Sequence, residues 1–164
     1  MSVPSGSVQR MVVSTRHEVL AELFRSQPSL AVELLSGSFR LEVPEYELVE
    51  LSSGELPKVV PGEFRADAVV LLRSRGVPVL GVVVEVQLSP NKKKHWAWPW
   101  YLISLRTRFK CEVALLVVCP SASVAAWCAK PIRLGPNWTL TPFVLGPEQV
   151  PVVTDPTWLG STRT

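Results

Sequence analysis

The chain has 164 residues, of which 47% are hydrophobic and 19% are charged. A chain of this size can close its own hydrophobic core, and this composition excludes a disordered or a bilayer-embedded protein. The spacing of the cysteines (Cys111, Cys119 and Cys128) fits neither a disulfide framework nor a zinc knuckle. The first residues also lack the apolar stretch of a secretion signal. We therefore expect a cytoplasmic protein.

The chain divides into three parts by composition. Pro, Gly and Ser without clear periodicity over residues 1–14 predict a flexible leader. Residues 15–155 carry the periodic segments and predict a single domain, and residues 156–164 form a C-terminal tail.

Charge is distributed unevenly along the chain, although the net charge is only +3. Residues 91–110 contain six Lys and Arg residues and no acid, whereas residues 42–55 contain five glutamates and no cation. Such separation gives the molecule a positive end, which is typical of proteins that bind a polyanion.

The predicted elements begin with helices. Apolar residues recur at helical spacing from Thr15, and Pro28 should divide this region into two short helices, the second ending at Gly37. Ser14 or Thr15 can cap the first helix, and Glu18 is placed to complete a capping box.

Three strands should follow the helices. Alternating residues predict a strand over Phe39–Val43 that continues irregularly to Leu51. The β-branched runs Phe64–Arg73 and Val79–Leu88 are the clearest strands in the chain, and only a short turn separates them. The simplest connection between them is a hairpin.

The second half of the chain predicts a crossover connection. Ser89 and the following proline should start a helix that runs to Phe109, with a kink or a split at Pro99. The apolar run Glu112–Cys119 predicts a buried strand parallel to the preceding one, because a helix joins the two. The last predicted elements are a short helix over Val124–Ala129 and one strand over Trp138–Leu145.

Two acids interrupt the two most hydrophobic strands. Asp67 and Glu85 each lie nine residues from Gly76, so a hairpin centred on that glycine places them opposite each other. Directly opposed side chains are about 5 Å apart at Cβ. Gln87 shares the same face because strand side chains alternate. The sequence therefore predicts two convergent carboxylates.

Two carboxylates in an apolar setting repel each other and are costly to bury. A divalent cation resolves both problems, and Mg²⁺ is typically held by one or two carboxylates with waters and phosphate oxygens. The structural alternative is an ordinary ion pair of either acid with Arg65, Arg73 or a lysine. Because two acids meet beside a cationic helix, the metal site is the favoured interpretation.

These residues resemble a known superfamily. Asp67, separated by 17 residues from Glu85-Val86-Gln87, resembles the motif of the PD-(D/E)xK nucleases. The segments RADAVVLL, VVVEVQLSP and LLVVCPS are similar to bacterial putative transposases of the recombination-promoting nuclease type, over roughly residues 17 to 155. The resemblance implies an α/β fold with a restriction-endonuclease-like core, a central mixed β-sheet in the order α-β-β-β-α-β flanked by helices.

The resemblance also implies roles for individual residues. Asp67 and Glu85 would ligate Mg²⁺, with Mn²⁺ as a substitute, and the Val86 carbonyl would complete the protein ligands. Gln87 stands where the superfamily usually has lysine, and glutamine can hydrogen-bond but carries no charge. Glu18 matches the additional first-helix acid of some members, although capping is the simpler role.

The segment NKKKHWAWPWY combines cations with aromatic residues and suits binding to the DNA backbone. One of its lysines could supply the charge that the glutamine lacks, and the sequence does not select one. Trp96 and Trp100 are spaced to form one buried stripe, and about half of the aromatic residues should be core. The predicted nucleic-acid contacts are Lys92, Lys93, Lys94, His95 and Arg106.

Two functional hypotheses follow. The first is a Mg²⁺-dependent DNA endonuclease, linked by the resemblance to recombination or transposition, which hydrolyses phosphodiesters with metal-activated water. The second is a catalytically silent nuclease fold that binds DNA or a protein partner, because Gln87 replaces the usual lysine. A homodimer remains open in both cases. A nucleotide-binding domain is disfavoured because no Gly-rich strand-to-helix loop is present.

Overall fold

The computed structural model describes residues 5–53 and 65–149, with side chains from residue 15 onward. The end of the predicted hairpin strand at Phe64 and the predicted tail over 156–164 lie outside these ranges. The elements are α1 (Ser5–Ser26), α2 (Ser29–Ser38), β1 (Leu48–Ser52), β2 (Ala68–Ser74), β3 (Val77–Val86), α3 (Lys94–Phe109), β4 (Glu112–Val118), α4 (Ala122–Cys128), β5 (Ile132–Gly135), β6 (Trp138–Leu140) and β7 (Phe143–Leu145).

The protein is an α/β structure built on a mixed five-stranded sheet in the order β1-β2-β3-β4-β7. The β1–β2 and β2–β3 pairs are antiparallel, whereas β4 is parallel to both β3 and β7. The predicted crossover is confirmed, since α3 connects the parallel strands β3 and β4. Among the described residues, no helix is both long enough and apolar enough to cross a bilayer.

Helices cover both faces of the sheet and create two hydrophobic clusters. On one face, Val82 and Val84 pack with α1 and α2, and on the other, Val83 packs with α3 and α4. Because successive strand residues point to opposite faces, Glu85 belongs to the α3 face together with Val83. The sheet thus places one acid of the predicted pair under the cationic helix.

The β2–β3 hairpin confirms the predicted register. Its two-residue turn consists of Arg75 and Gly76, which both have positive φ (50° and 75°), as hairpin turns of this length require. Cα partners run from Ala68 opposite Val84, the pairing that a centre at Gly76 predicts. A β-bulge lies between the Leu72 and Arg73 pairs. Because of it, the pairs nearest the turn are displaced by one residue relative to the pairs from Ala68 to Leu72.

The N-terminal prediction differs from the structure at the start of α1. This helix begins at Ser5, ten residues before the predicted start, so Ser14 and Thr15 lie inside it rather than at its N-terminus. Extension of an existing helix needs no new nucleus, which explains how it can include weakly periodic residues. The division at Pro28 is confirmed, and α2 ends at Ser38, one residue beyond Gly37.

Two strand predictions were wrong. Phe39–Val43 forms no strand; its alternating apolar side chains instead pack against the cluster beneath α1 and α2. The predicted strand Trp138–Leu145 is two strands in separate sheets, β6 paired with β5 and β7 paired with β4. Pro142, which lies between them, has no N–H to donate and interrupts the ladder.

The crossover helix begins later than predicted. Ser89 does not cap it, because α3 begins at Lys94. Asn91 satisfies the first turn instead: its side-chain Oδ1 accepts from Lys93 N at 3.0 Å and its carbonyl accepts from Lys94 N at 3.0 Å. Pro99 lies inside a continuous helix, which tertiary packing on both sides of the proline stabilises.

The close approach of α3 to β3 at Gly81 yields a stability prediction. A Cβ at Gly81 would lie 2.7 Å from Leu105 Cδ2, whereas a Cβ at Gly37 meets nothing within 4 Å. We expect Gly81→Ala to lower the free energy of unfolding by about 1–3 kcal/mol through overpacking. Gly37→Ala, the control, should raise it by about 0.5–1 kcal/mol. Urea denaturation measures both. Equal stability of the two variants would contradict the packing described.

Candidate active site

Asp67 lies at the entrance to β2, and neighbouring elements hold it in place. Its Oδ2 accepts a hydrogen bond from the Val86 backbone N–H at 2.8 Å. Its Oδ1 lies 3.2 Å from His17 Nε2. Its backbone carbonyl accepts from Arg25 Nε at 2.9 Å. The carboxylate is thereby fixed between α1 and the end of β3.

Glu85 lies near the end of β3 and is fully buried. Its Oε2 is 2.8 Å from Lys94 Nζ at the start of α3. Burial, and after it the charge of Asp67, raises the pKa of this carboxyl to about 7, and Lys94 acts in the opposite direction. The Trp98 indole also lowers this pKa, although its N–H lies outside hydrogen-bonding geometry.

The two carboxylates lie close enough to interact at one end of the sheet, with Glu85 under α3 and Asp67 in contact with α1. The charge on Asp67 acts on Glu85, and both raise the pKa of the Tyr101 hydroxyl above its ordinary value, after the effect of burial. Tyr101 belongs to α3, so both acids lie near the same point of that helix. This is the convergence that the hairpin register predicts.

The alternative to a metal site, an ordinary ion pair with an arginine or a lysine, is found for one of the two acids. Within the described ranges, neither carboxylate pairs with an arginine side chain, and Arg73 instead contacts Glu50 Oε1 at 2.6 Å. Glu85 does pair with a lysine, as the alternative allows. However, this pair leaves the second oxygen of Glu85 without a partner, so Lys94 does not satisfy the buried carboxylate.

The residues after Glu85 add oxygens to the same place. The N–H and C=O of one strand residue point toward the same neighbouring strand. Because the Val86 N–H donates to Asp67, the Val86 carbonyl also points toward the Asp67 side of β3. The Gln87 amide donates from Nε2 to the Ser89 carbonyl at 2.8 Å, and its Oε1 is buried without a partner. Glutamine at this position therefore presents an acceptor rather than a charge.

These oxygens fit a small divalent cation. Buried acceptors are almost always hydrogen-bonded, yet Glu85 Oε1 and Gln87 Oε1 lack partners within the described part of the chain. In the same part of the chain, no cluster of three His, Cys, Asp or Glu side chains could hold a metal ion. A cation here would thus depend on two carboxylates, a backbone carbonyl and waters, a donor set that Mg²⁺ accepts.

Two groups from α1 contribute contacts that the sequence did not indicate. His17 and Arg25 reach Asp67 from a helix about fifty residues earlier in the chain, and no local pattern signals this contact. Glu18 does not complete a capping box. It is exposed and pairs with Arg25 at 3.5 Å and with His17 at 3.6 Å, so it touches the site only through them.

The cationic segment divides by helix face. Lys92, Lys93 and Arg106 are exposed, whereas Lys94 turns toward Glu85. The His95 ring stacks on Trp127, with 4.7 Å between centroids and 12° between planes. Lys94 is thus the lysine, among the three that the sequence leaves open, that reaches the carboxylates.

Trp96 and Trp100 do not form a buried stripe, although about half of the tryptophans are core as expected, since Trp98 is buried and Trp100 is half-buried. Trp96 is 81% exposed, and the fully buried tryptophan is Trp98. The helix turns its Lys94, Trp98 and Tyr101 edge toward the sheet, and these residues have helical spacing. Trp96 therefore points away from the sheet.

The carboxylates are distinct from a surface depression at the other end of the sheet. That depression of about 440 Å³ is lined by Tyr46, Glu47 and Arg75, among others, at the hairpin-turn end of the sheet. Asp67 and Glu85 lie at the opposite end of the same two strands, so the depression is no part of the site.

In comparisons with protein-family models, curated proteins and solved structures, nothing matches this chain. The protein is an α/β protein with two neighbouring carboxylates and a lysine at one end of a mixed sheet.

The buried carboxyl predicts an unusual pH dependence in metal-free protein. The pKa of Glu85 is about 7 in the folded state against 4.5 as the ordinary value, so the folded protein binds a proton between these values that the unfolded chain does not. The stabilisation that comes from the raised pKa of Glu85 is fully present below pH 4.5 and is lost as pH rises through 7. We expect Glu85→Gln to remove this loss, measured as urea stability at pH 5 and pH 8 in EDTA.

Glu33→Gln, which removes one exposed acid from α2, is the matched control. If wild type and Glu85→Gln lose equal stability between the two pH values, the site is not the source of the effect.

Proposed function

We propose that the protein is a Mg²⁺-dependent DNA endonuclease of the PD-(D/E)xK type, with a restriction-endonuclease-like core. One observation carries this proposal: Asp67 and a fully buried Glu85 converge at one end of the sheet, beside the ammonium group of Lys94. The resemblance in sequence supports the same class and is the basis for a link with recombination or transposition.

Asp67, Glu85 and the Val86 carbonyl would hold the cation. When bound, it would neutralise charge on the scissile phosphate and lower the pKa of a water molecule. The protein's own part is to fix the ligands. The Val86 N–H and His17 orient the Asp67 carboxylate, and the strand pairing orients Glu85.

Lys94 takes the role that Gln87 cannot perform. Its ammonium group lies 2.8 Å from Oε2 of Glu85, beside the oxygen that the cation would use, so a phosphate bound at this carboxylate would come within its reach. There it can donate to a non-bridging oxygen or to the attacking water and offset the charge that develops during attack. Gln87, held by Ser89, presents a fixed acceptor for a water.

The charge distribution favours DNA as the substrate. Exposed cations at the start and the end of α3 lie on the helix that covers the carboxylates, and the segment 91–110 contains no acid. Contacts of this kind bind phosphates without reading sequence. A homodimer that cuts two strands is compatible with this proposal and remains an expectation.

The first test is metal binding. We expect Asp67→Asn and Glu85→Gln each to abolish the heat of Mn²⁺ binding in titration calorimetry and to lower plasmid nicking about 100-fold or more, because each removes a charged ligand. Glu33→Gln should retain both activities. Mn²⁺ binding that persists in both site variants would remove the basis for the proposal.

The second test concerns Lys94. We expect Lys94→Met to lower the nicking rate about 100-fold, the usual effect of removing one preorganised donor. It should keep Mn²⁺ binding at pH 8.5, because a bound cation itself favours the ionised form of Glu85. Lys93→Met, an exposed neighbour on the same helix start, is the matched control and should change nicking only slightly. Equal effects of the two substitutions would assign Lys94 a purely structural or electrostatic role.

The alternative is a catalytically silent fold that binds DNA, and one observation favours it: the Glu85–Lys94 pair with a neutral Gln87. Wild-type protein that binds Mn²⁺ and DNA but does not nick plasmid would support this alternative. Gln87→Lys then becomes informative, since a gain of nicking would place residue 87 at the catalytic position.

A further inference from the structure

Trp96 is an unusual feature of the cationic helix. Its side chain is 81% exposed, more than any other large hydrophobic side chain in the described ranges. The neighbouring Trp98 is completely buried. A large aromatic surface held in water suggests that a partner covers it in the functional state.

The surroundings of Trp96 are cationic. Lys92 and Lys93 are exposed and form the turn directly before the helix, and Lys93, the N-cap with helical backbone angles, precedes Trp96 by three residues. The backbone N–H of Trp96 donates to the Lys93 carbonyl at 3.1 Å, so Trp96 belongs to the first turn of the helix. An indole flanked by two ammonium groups matches the combination that binds a base and its adjoining phosphates.

The surface is close to the carboxylates. Lys94 spans from α3 to Glu85, and Trp96 follows two residues later with its side chain on the opposite side of the helix. The indole is therefore separated from Glu85 by about the helix diameter of 10–12 Å and the length of one lysine side chain, which a few nucleotides of an unpaired strand can span. One DNA strand could therefore contact both.

We propose that Trp96 stacks on an unpaired base of the substrate while Lys92 and Lys93 contact the flanking phosphates. This inference rests on the proposed nuclease function and specifies its substrate class: DNA with unpaired nucleotides beside the cleavage position, such as a single strand, a flap or a frayed end. Bases inside a duplex are already stacked on each other, so an indole on a helix surface gains little from intact duplex.

A second copy of the chain is the weaker candidate for this surface. A two-fold contact through α3 would bring two segments together that each carry six cations and no acid. Like charges facing each other across an interface oppose association. Charge complementarity therefore favours a polyanion as the occupant.

The test compares Trp96→Ala with Trp138→Ala, a control that removes another exposed tryptophan, on β6. The probes are fluorescein-labelled oligo-dT and a hairpin duplex of equal nucleotide number, measured by anisotropy in EDTA so that no cleavage occurs. We expect Trp96→Ala to weaken oligo-dT binding about tenfold and duplex binding less than twofold, and Trp96→Phe to restore most of the loss. The control should bind both probes as wild type does.

Equal losses on both probes, or no loss on oligo-dT, would overturn the inference. So would sedimentation showing that Trp96→Ala turns a dimer into a monomer while oligo-dT binding is unchanged. These outcomes are independent of the metal test: plasmid nicking that survives in Trp96→Ala with unchanged oligo-dT binding refutes the stacking surface and leaves the nuclease proposal intact.

Discussion

The buried contact between Glu85 and Lys94 is the interaction on which the site depends. A carboxylate without any exposure is costly to keep charged, and the lysine offsets that cost through one oxygen only. The other oxygen remains an unsatisfied acceptor. The proposed cation would supply the missing partner of this oxygen and balance the charge of the second acid.

The elements around this contact restrict where its partners can lie. The hairpin aligns Asp67 with Glu85, the crossover places α3 over them, and the absent side chain at Gly81 lets α3 approach β3 closely. Asn91 determines where the helix begins and therefore which lysine faces inward. A helix that started at Ser89 would have a different first turn, and the same three lysines would be presented differently.

The parts that could be predicted are those encoded locally. Strand alternation and a hairpin centred on Gly76 predict that Asp67 and Glu85 face each other. The two-residue turn alone would shift this pairing by one residue, and the β-bulge next to Leu72, which no sequence pattern indicates, restores it. The choice of Lys94 depends on helix phase, which Asn91 sets, and the contacts of His17 and Arg25 with Asp67 depend on packing across the sheet. Which of the tryptophans is buried could not be predicted, because spacing alone identifies a face without showing which side the sheet occupies.

The order of the functional groups in the chain has a consequence for folding. Asp67, Glu85 and Lys94 come from one continuous stretch, and the hairpin within it closes a short loop at low entropic cost. Parallel pairing of β3 with β4 requires a long crossover and is therefore slower. During biosynthesis, the two acids would meet before the layer that shields them from water is complete, and solvent would screen their repulsion at that moment. The repulsion between the two acids therefore becomes strong only when the last strands pair with the sheet and water is excluded from the site.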